Sequence, residues 1–277
     1  MRLRLGRVEH DLTTHTLVMG VLPRGPLDAV LVRAEEMVGE GADVIDVSGL
    51  QAGPGPPVGE DEELERLVPV VAAVRDRFEI AVAVETRRPG VLAAACAAGA
   101  VVGRDANGLA DDALLATAAE VGATVVTTYV EQQALASGGP TGLVSEVRSH
   151  LAERVAEAVK AGVAEDRIIV DAGLALGKEP AQSLALLRQS ADLADLGPPL
   201  LLDASSGIFL GPDGRRVADH AAQALGIARG CRLVRTAEVR AARRVADVLG
   251  AVLAARSTQT GRTEQTERAP RTRRPGG

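Results

Sequence analysis

Six residues able to do chemistry stand at one recurrent place in this chain, at or just after the end of a short apolar run. They are Glu85, Arg104, Asp105, Asp171, Asp203 and Arg235. Carboxylates accept hydrogen bonds, and guanidiniums offer several donors in a fixed fork. Brought into one cavity, these four acids and two arginines make a site for a small polar molecule. Paired with one another at a rim, they need no ligand at all, because ion pairs of that kind are common structural features. Other chemistry is scarce. Lysine occurs only as Lys160 and Lys178, and histidine only as His10, His15, His150 and His220. Few groups are therefore available as a catalytic base or a phosphate clamp. Cys96 and Cys231 lie far apart with no CxxC or Cys/His grouping, which argues against zinc and against a disulfide framework. The stretch GLALGKE at Gly173–Glu179 is one residue short of a phosphate-binding loop and lacks the hydroxyl after Lys178. GIARGC at Gly226–Cys231 falls between a helix and a strand, the wrong order for a dinucleotide turn.

The elements that must position these residues repeat eight times. The runs are LVMGVL at Leu17–Leu22, DVIDVS at Asp43–Ser48, EIAVAVE at Glu79–Glu85, GAVVGR at Gly99–Arg104, ATVVTT at Ala123–Thr128, RIIVDA at Arg167–Ala172, PLLLDA at Pro199–Ala204 and CRLVRT at Cys231–Thr236. Continuous apolar runs of strand length, separated by amphipathic helical stretches, predict parallel strands buried on both faces. Eight of them predict a (β/α)8 TIM barrel, with its chemistry at the C-terminal ends of the strands. The expected helices are Leu27–Glu40, Asp61–Arg77, Pro89–Ala98, Asp111–Glu120, Thr141–Ala161, Pro180–Leu193, Val217–Arg229 and Glu238–Ala255. Alternation in Arg2–Thr16 predicts an N-terminal β-hairpin, turning near His10 and Asp11, that covers the bottom of the barrel.

The chain of 277 residues suits one such barrel over residues 1–255. Residues 256–277 hold six Arg and two Glu and no apolar stretch, so a disordered Arg-rich tail is expected there. The net −6 of the chain is the balance of this +4 tail and a −10 body. Aromatic residues make up only 1% of the chain, which argues against a nucleic-acid binder that stacks bases. No run approaches the ~20 apolar residues of a membrane span, and MRLRLGRVEHD has no signal-peptide core. A cytoplasmic location is expected.

The ordered segments resemble the dihydropteroate synthases, the pterin-binding barrels of folate biosynthesis. LVMGVL after the hairpin is similar to the family's LVMGILNVTPDSF opening. GADVIDVSGLQAGPG is similar to GADIIDIGGESTRPGA, and IAVAVETRRPGVLAAACAAGA to ISVDTxRxxVAxAAxxAGA. IIVDAGLALGKE resembles LDPGIGFGKT, LLLDASSGIFLG resembles VGVSRKSFIG, and LVRTAEV resembles IVRVHDV. The resemblance covers nearly all of Arg2–Ala255. It implies a transferase barrel that joins a pterin methyl pyrophosphate to p-aminobenzoate and releases pyrophosphate.

At the positions that carry this reaction the chain departs from the pattern. The Asn that helps hold Mg²⁺ and pyrophosphate falls at Pro23. The Thr-Arg of the second loop falls at Ala52 and Gly53. The Asp after the third strand is Glu85, and the pterin-binding Asn after the fourth is Arg104. The Arg-Lys after the seventh strand falls at Ser206 and Gly207, and the late His falls at Ala237. Asp171, Arg235 and the Gly177-Lys178 pair are unchanged. The resemblance thus implies a pterin-like ligand site at Asp171, Glu85, Arg104 and Arg235, with no catalytic residue assigned and no metal or cofactor assigned. It implies a pseudoenzyme with lost or greatly weakened synthase activity and a small-molecule ligand, possible homodimerisation, and no nucleic-acid or membrane partner. Two alternatives stay open: an active synthase with an unusual pocket, and a non-catalytic interaction protein. A corrinoid-dependent pterin methyltransferase shares the fold but also relies on the Asn replaced by Arg104. Arg104 itself is expected to pair with Asp171 or Glu85.

Overall fold

The computed structural model describes residues 1–48, 58–105, 107–130, 139–174, 176, 178–203 and 211–267. The hairpin consists of β1 (Arg2–Leu5) and β2 (Val8–Asp11). Leu5 pairs with Val8, so the turn falls at Gly6 and Arg7 rather than near His10 and Asp11. Gly6 has φ +59°, a conformation that glycine adopts without strain, and a side chain there would press on Val101. That glycine sets the register, and His10 and Asp11 become part of the second strand.

Eight parallel strands then close the barrel. They are β3 (Leu17–Val21), β4 (Val44–Ser48), β5 (Ala81–Glu85), β6 (Val102–Asp105), β7 (Thr124–Thr128), β8 (Ile168–Asp171), β9 (Leu200–Asp203) and β10 (Cys231–Thr236). Each pairs with its sequence neighbour, and β10 closes onto β3. The helices between them are α1 (Leu27–Gly39), α2 (Glu60–Arg77), α3 (Pro89–Ala97), α4 (Asp112–Glu120), α5 (Gly139–Lys160), α6 (Pro180–Arg188), α7 (Ser190–Ala194) and α8 (Gly211–Ala228). The expected helix Pro180–Leu193 is divided at Gln189 into α6 and α7. The last helix, α9 (Val239–Glu267), runs past the boundary expected at Ala255, and residues 268–277 of the expected tail lie outside the described residues.

Two apolar layers hold this together. Strand residues that face outward pack with the helices in the larger core. Inward-facing residues form a second cluster: Leu17, Met19, Val44, Ala83, Val102, Val126, Ile169, Leu201 and Leu233, joined from below by Leu3, Leu5 and Leu12. The hairpin is therefore a plug that seals the bottom of the barrel. Arg167 donates to the Gly6 carbonyl at 2.8 Å, and Arg4 pairs with Asp166 at 2.8 Å, which pins the plug to the turn before β8. Leu3→Ala removes a fully buried side chain. We expect a loss of about 2–3 kcal/mol, at the lower end of the range for such a truncation because the plug can settle. A urea midpoint unchanged from the native chain would refute its sealing role.

Candidate functional site

Strand side chains alternate, so residues two positions apart share a face. Two residues beyond each inward apolar residue stands the next inward one: Asp46 after Val44, Glu85 after Ala83, Arg104 after Val102 and Thr128 after Val126. Asp171, Asp203 and Arg235 follow Ile169, Leu201 and Leu233 in the same way. Strand register keeps neighbours level: Glu85 is opposite Arg104, Thr128 opposite Asp171, and Arg235 opposite Asp203. The interior of the barrel is thus an apolar layer below and a polar layer above, at the C-terminal rim where such barrels bind ligands.

The polar layer is joined by ion pairs. Arg104 Nη2 donates to Glu85 Oε2 at 2.7 Å and lies 3.7 Å from Asp46 Oδ2. Arg235 Nε donates to Asp46 Oδ2 at 2.7 Å, and its Nη1 donates to Asp203 Oδ2 at 2.8 Å. The chain of contacts therefore runs Glu85, Arg104, Asp46, Arg235, Asp203. Asp46 and Arg104 are almost wholly buried. Burial opposes the charge of Arg235, but Asp46, Asp203 and Glu85 more than offset it and raise its pKa. Of the two partners expected for Arg104, the described contacts give it Glu85.

Asp171 sits beside this chain of contacts, and none of the described ion pairs includes it. Its Oδ1 accepts from the Gly173 N–H at 2.8 Å, and Thr128 Oγ1 lies 3.4 Å from Oδ2. Burial pushes its carboxyl up, the charge of Asp203 pushes it further, and the Gly173 N–H, Arg104 and Lys178 pull it back; the result is about 6. Lys178 holds the loop after β8. Its Nζ donates to the carbonyls of Gly173 at 2.8 Å, Leu176 at 3.2 Å and Tyr129 at 3.4 Å, and lies over the Tyr129 ring.

Two sequence expectations change here. Asp105 does not join the rim. One residue beyond Arg104, it faces the opposite way, and its carboxylate accepts from the N–H groups of Asn107 and Leu109. Burial raises its pKa, and those two N–H groups offset part of the rise. It shapes the β6–α4 turn, where Leu109 takes a positive φ. Conversely, Asp46 was missed as a rim group. Its signal was available: a charged residue at the centre of the apolar run VIDVS. Pro23 lies in the β3–α1 loop and lines a cleft of about 600 Å³ between α1 and α2, which none of the rim ion-pair residues borders. Gly49, Ala52, Gly53, Gly177, Ser206 and Gly207 lie outside the described residues.

Among the described residues, the rim groups do not fit a magnesium ion. Pro23 offers no side-chain oxygen, and Asp46, Glu85 and Asp203 all accept from guanidiniums. Among the described residues, no group of three or more His, Cys, Asp or Glu is placed to hold a metal. Likewise, no helix among them is long and apolar enough to cross a membrane.

Comparison with known proteins agrees with this architecture. Residues 22–237 match the family model described as pterin binding enzyme. The chain is 36% identical over 240 residues to "Inactive dihydropteroate synthase 2" of Mycobacterium leprae, covering 81% of this chain and 82% of the relative. It is 33% identical over 257 residues to the dihydropteroate synthase of Bacillus subtilis, covering 86% and 89%. Among solved structures, the Burkholderia cenocepacia dihydropteroate synthase complexed with 7,8-dihydropteroate superimposes with a TM-score of 0.82 at 33% identity, covering 93% of this chain and 98% of that one. With its closed barrel, its plugged base and its charged rim, this chain belongs to the dihydropteroate synthase family of pterin-binding enzymes.

Proposed function

We propose that this protein is a dihydropteroate-synthase-like pseudoenzyme that has lost the synthase reaction and kept a small-molecule pocket. The observation that carries this reading is the placement of Arg104. Where the family has a pterin-binding Asn, a buried guanidinium is tied to Glu85 at 2.7 Å and faces Asp46. The pyrophosphate side is altered as well. Pro23, Gly53, Gly207 and Ala237 stand where the family has Asn, Arg, Lys and His. Loss of one electrostatic partner of a transition state typically costs ~10²–10³ in rate. Several losses acting on one leaving group need not add, yet none restores another. The naming of the Mycobacterium leprae relative as inactive supports the same conclusion.

The test is pyrophosphate release from a pterin methyl pyrophosphate and p-aminobenzoate. The expected rate equals the background. Turnover within tenfold of the ~10 s⁻¹ median for enzymes would overturn the reading. The ligand proposed for the pocket is pterin-like, held by Asp171, whose carboxylate can accept two parallel N–H bonds from a 2-aminopyrimidinone edge. Asp171→Asn should weaken that binding tenfold or more, whereas Lys178→Ala should change it little. We place the functional barrel at residues 1–255, with the Arg-rich segment 256–277 as an appendage, in a cytoplasmic protein able to form a homodimer.

A further inference from the structure

We propose that Lys178 is a positioning residue that sets the charge state of Asp171 by holding the Gly173 N–H against its carboxylate, and that α5 steadies this hold through Tyr129. Asp171 is the ligand carboxylate of the reading above, so the inference deepens that reading. What Lys178 positions is the Gly173 N–H; the carboxylate itself is placed by β8 and by burial.

The turn after β8 does not hold itself. Gly173 has φ +60°, a region that glycine visits about as readily as negative φ. That freedom leaves the direction of its N–H to outside contacts. A Cβ there would collide with the Tyr129 carbonyl oxygen, so the two strand ends approach too closely for a side chain. The Lys178 ammonium spends its three donors on three carbonyl oxygens, those of Gly173 at 2.8 Å, Leu176 at 3.2 Å and Tyr129 at 3.4 Å. It thereby joins the ends of β7 and β8, where the Tyr129 N–H donates to the Asp171 carbonyl at 2.8 Å. The ammonium also lies 4.7 Å from the centre of the Tyr129 ring. Tyr129 is anchored in turn on α5: its hydroxyl donates to Glu146 Oε1 at 2.8 Å, and the His150 ring meets it edge-on. A line of contacts thus runs from the outer helix through Tyr129, Lys178 and Gly173 to Asp171 Oδ1. Burial and the charge of Asp203 favour the protonated acid, and the Gly173 N–H is the strongest of the groups that oppose them, ahead of Arg104 and Lys178. Loosening the turn therefore raises the proton affinity of Asp171. The Cys231 thiol, also close by, is kept protonated by burial. Around Tyr129 stand Glu146 and His150, with Glu153 and Arg154 beside His150.

The test compares melting temperatures of the full chain with those of its Asp171→Asn variant from about pH 4 to 8. The difference grows with pH and levels off above the pH at which folded Asp171 ionises. Subtraction removes the other groups that titrate in this range, His150 among them. Each further variant is paired with its own Asp171→Asn partner. Lys178→Met should raise the levelling point by about half a pH unit or more, a roughly threefold gain in proton affinity. Lys178→Arg should raise it too: the charge is kept, but a planar fork does not match three carbonyls that converge on one ammonium. Glu146→Gln separates position from charge by sign. Removing a negative charge alone lowers the levelling point, loosening Tyr129 raises it, and a rise is expected. No rise in Lys178→Arg overturns the positioning role, since charge then explains any rise in Lys178→Met. An unmoved or lower point in Glu146→Gln overturns the part given to α5. Should Lys178→Met fold poorly, the other two variants decide. At pH 7.5 the carboxylate stays largely ionised in every variant, so pterin binding there changes little. The assay reads a proton and not a ligand, so a chain that binds no pterin still shows these shifts, and the two readings fail separately.

Discussion

Asp46→Ala should destabilise the barrel by about 3–5 kcal/mol, the usual cost of removing one partner from a buried ion pair. Asp46 has a fully buried side chain, and its Oδ2 receives Arg235 at 2.7 Å with Arg104 at 3.7 Å. Without it, two guanidiniums face each other across the barrel mouth, held apart only by their outer partners Glu85 and Asp203. Asp46→Asn keeps the volume and one acceptor for Arg235, so its cost should be clearly smaller. The double variant Asp46→Leu with Arg235→Met replaces the pair by apolar groups and should recover much of the loss, since well-packed apolar replacements of buried pairs are often neutral or better. Chemical denaturation measures all three. A loss below 1 kcal/mol for the Ala variant would mean that water, rather than Asp46, balances the arginines.

This cluster also shows how far the sequence could be read. The eight strands were legible because each is a continuous apolar run, as expected for a parallel sheet buried on both faces. The rim residues at strand ends followed from the barrel itself: Glu85, Arg104, Asp171, Asp203 and Arg235 all lie there. The errors are errors of parity. Asp105 was grouped with Arg104 because they are adjacent, yet adjacency in a strand means opposite faces. Its carboxylate shapes a turn instead. Asp46 was hidden by the opposite fault. It lies two residues before the end of its run, inside a stretch that reads as pure strand. Counting in steps of two from Val44, a member of the interior cluster, turns it inward, opposite Ala83, where the long Arg104 side chain comes within 3.7 Å of it. Side-chain pairing was the least legible level. That Arg104 takes Glu85 follows from strand register, with the two residues opposite each other, and register depends on closure of the whole sheet.

The same accounting of faces separates Asp171 from its neighbours and leads to a prediction of opposite sign. Its carboxyl has been raised from 3.8 to about 6 by burial first and by Asp203 second. An acid whose pKa is higher in the folded state holds its proton more tightly when folded. Stability is therefore greatest below about pH 4 for this group and falls as pH rises through the window from 3.8 to about 6. At ~1.36 kcal/mol for each tenfold change in proton affinity, the ionised carboxylate costs about 2–3 kcal/mol at neutral pH. Asn is nearly isosteric, still accepts from the Gly173 N–H, and carries no charge. Asp171→Asn should thus stabilise the protein at pH 7.5, by roughly 5 °C in melting temperature for a chain of this size. The gain should shrink towards zero at pH 4, where the native carboxyl is itself protonated. Melting curves of both chains across this range decide the matter; an Asn variant less stable at pH 7.5, or a gain that does not change with pH, would remove the argument. A barrel that keeps an ionised carboxylate at such a position gives up stability there without return from its own fold, because no described ion pair repays it. The ligand role proposed for Asp171 would account for that cost, and under it the substitution which strengthens the fold is also the one that weakens pterin binding.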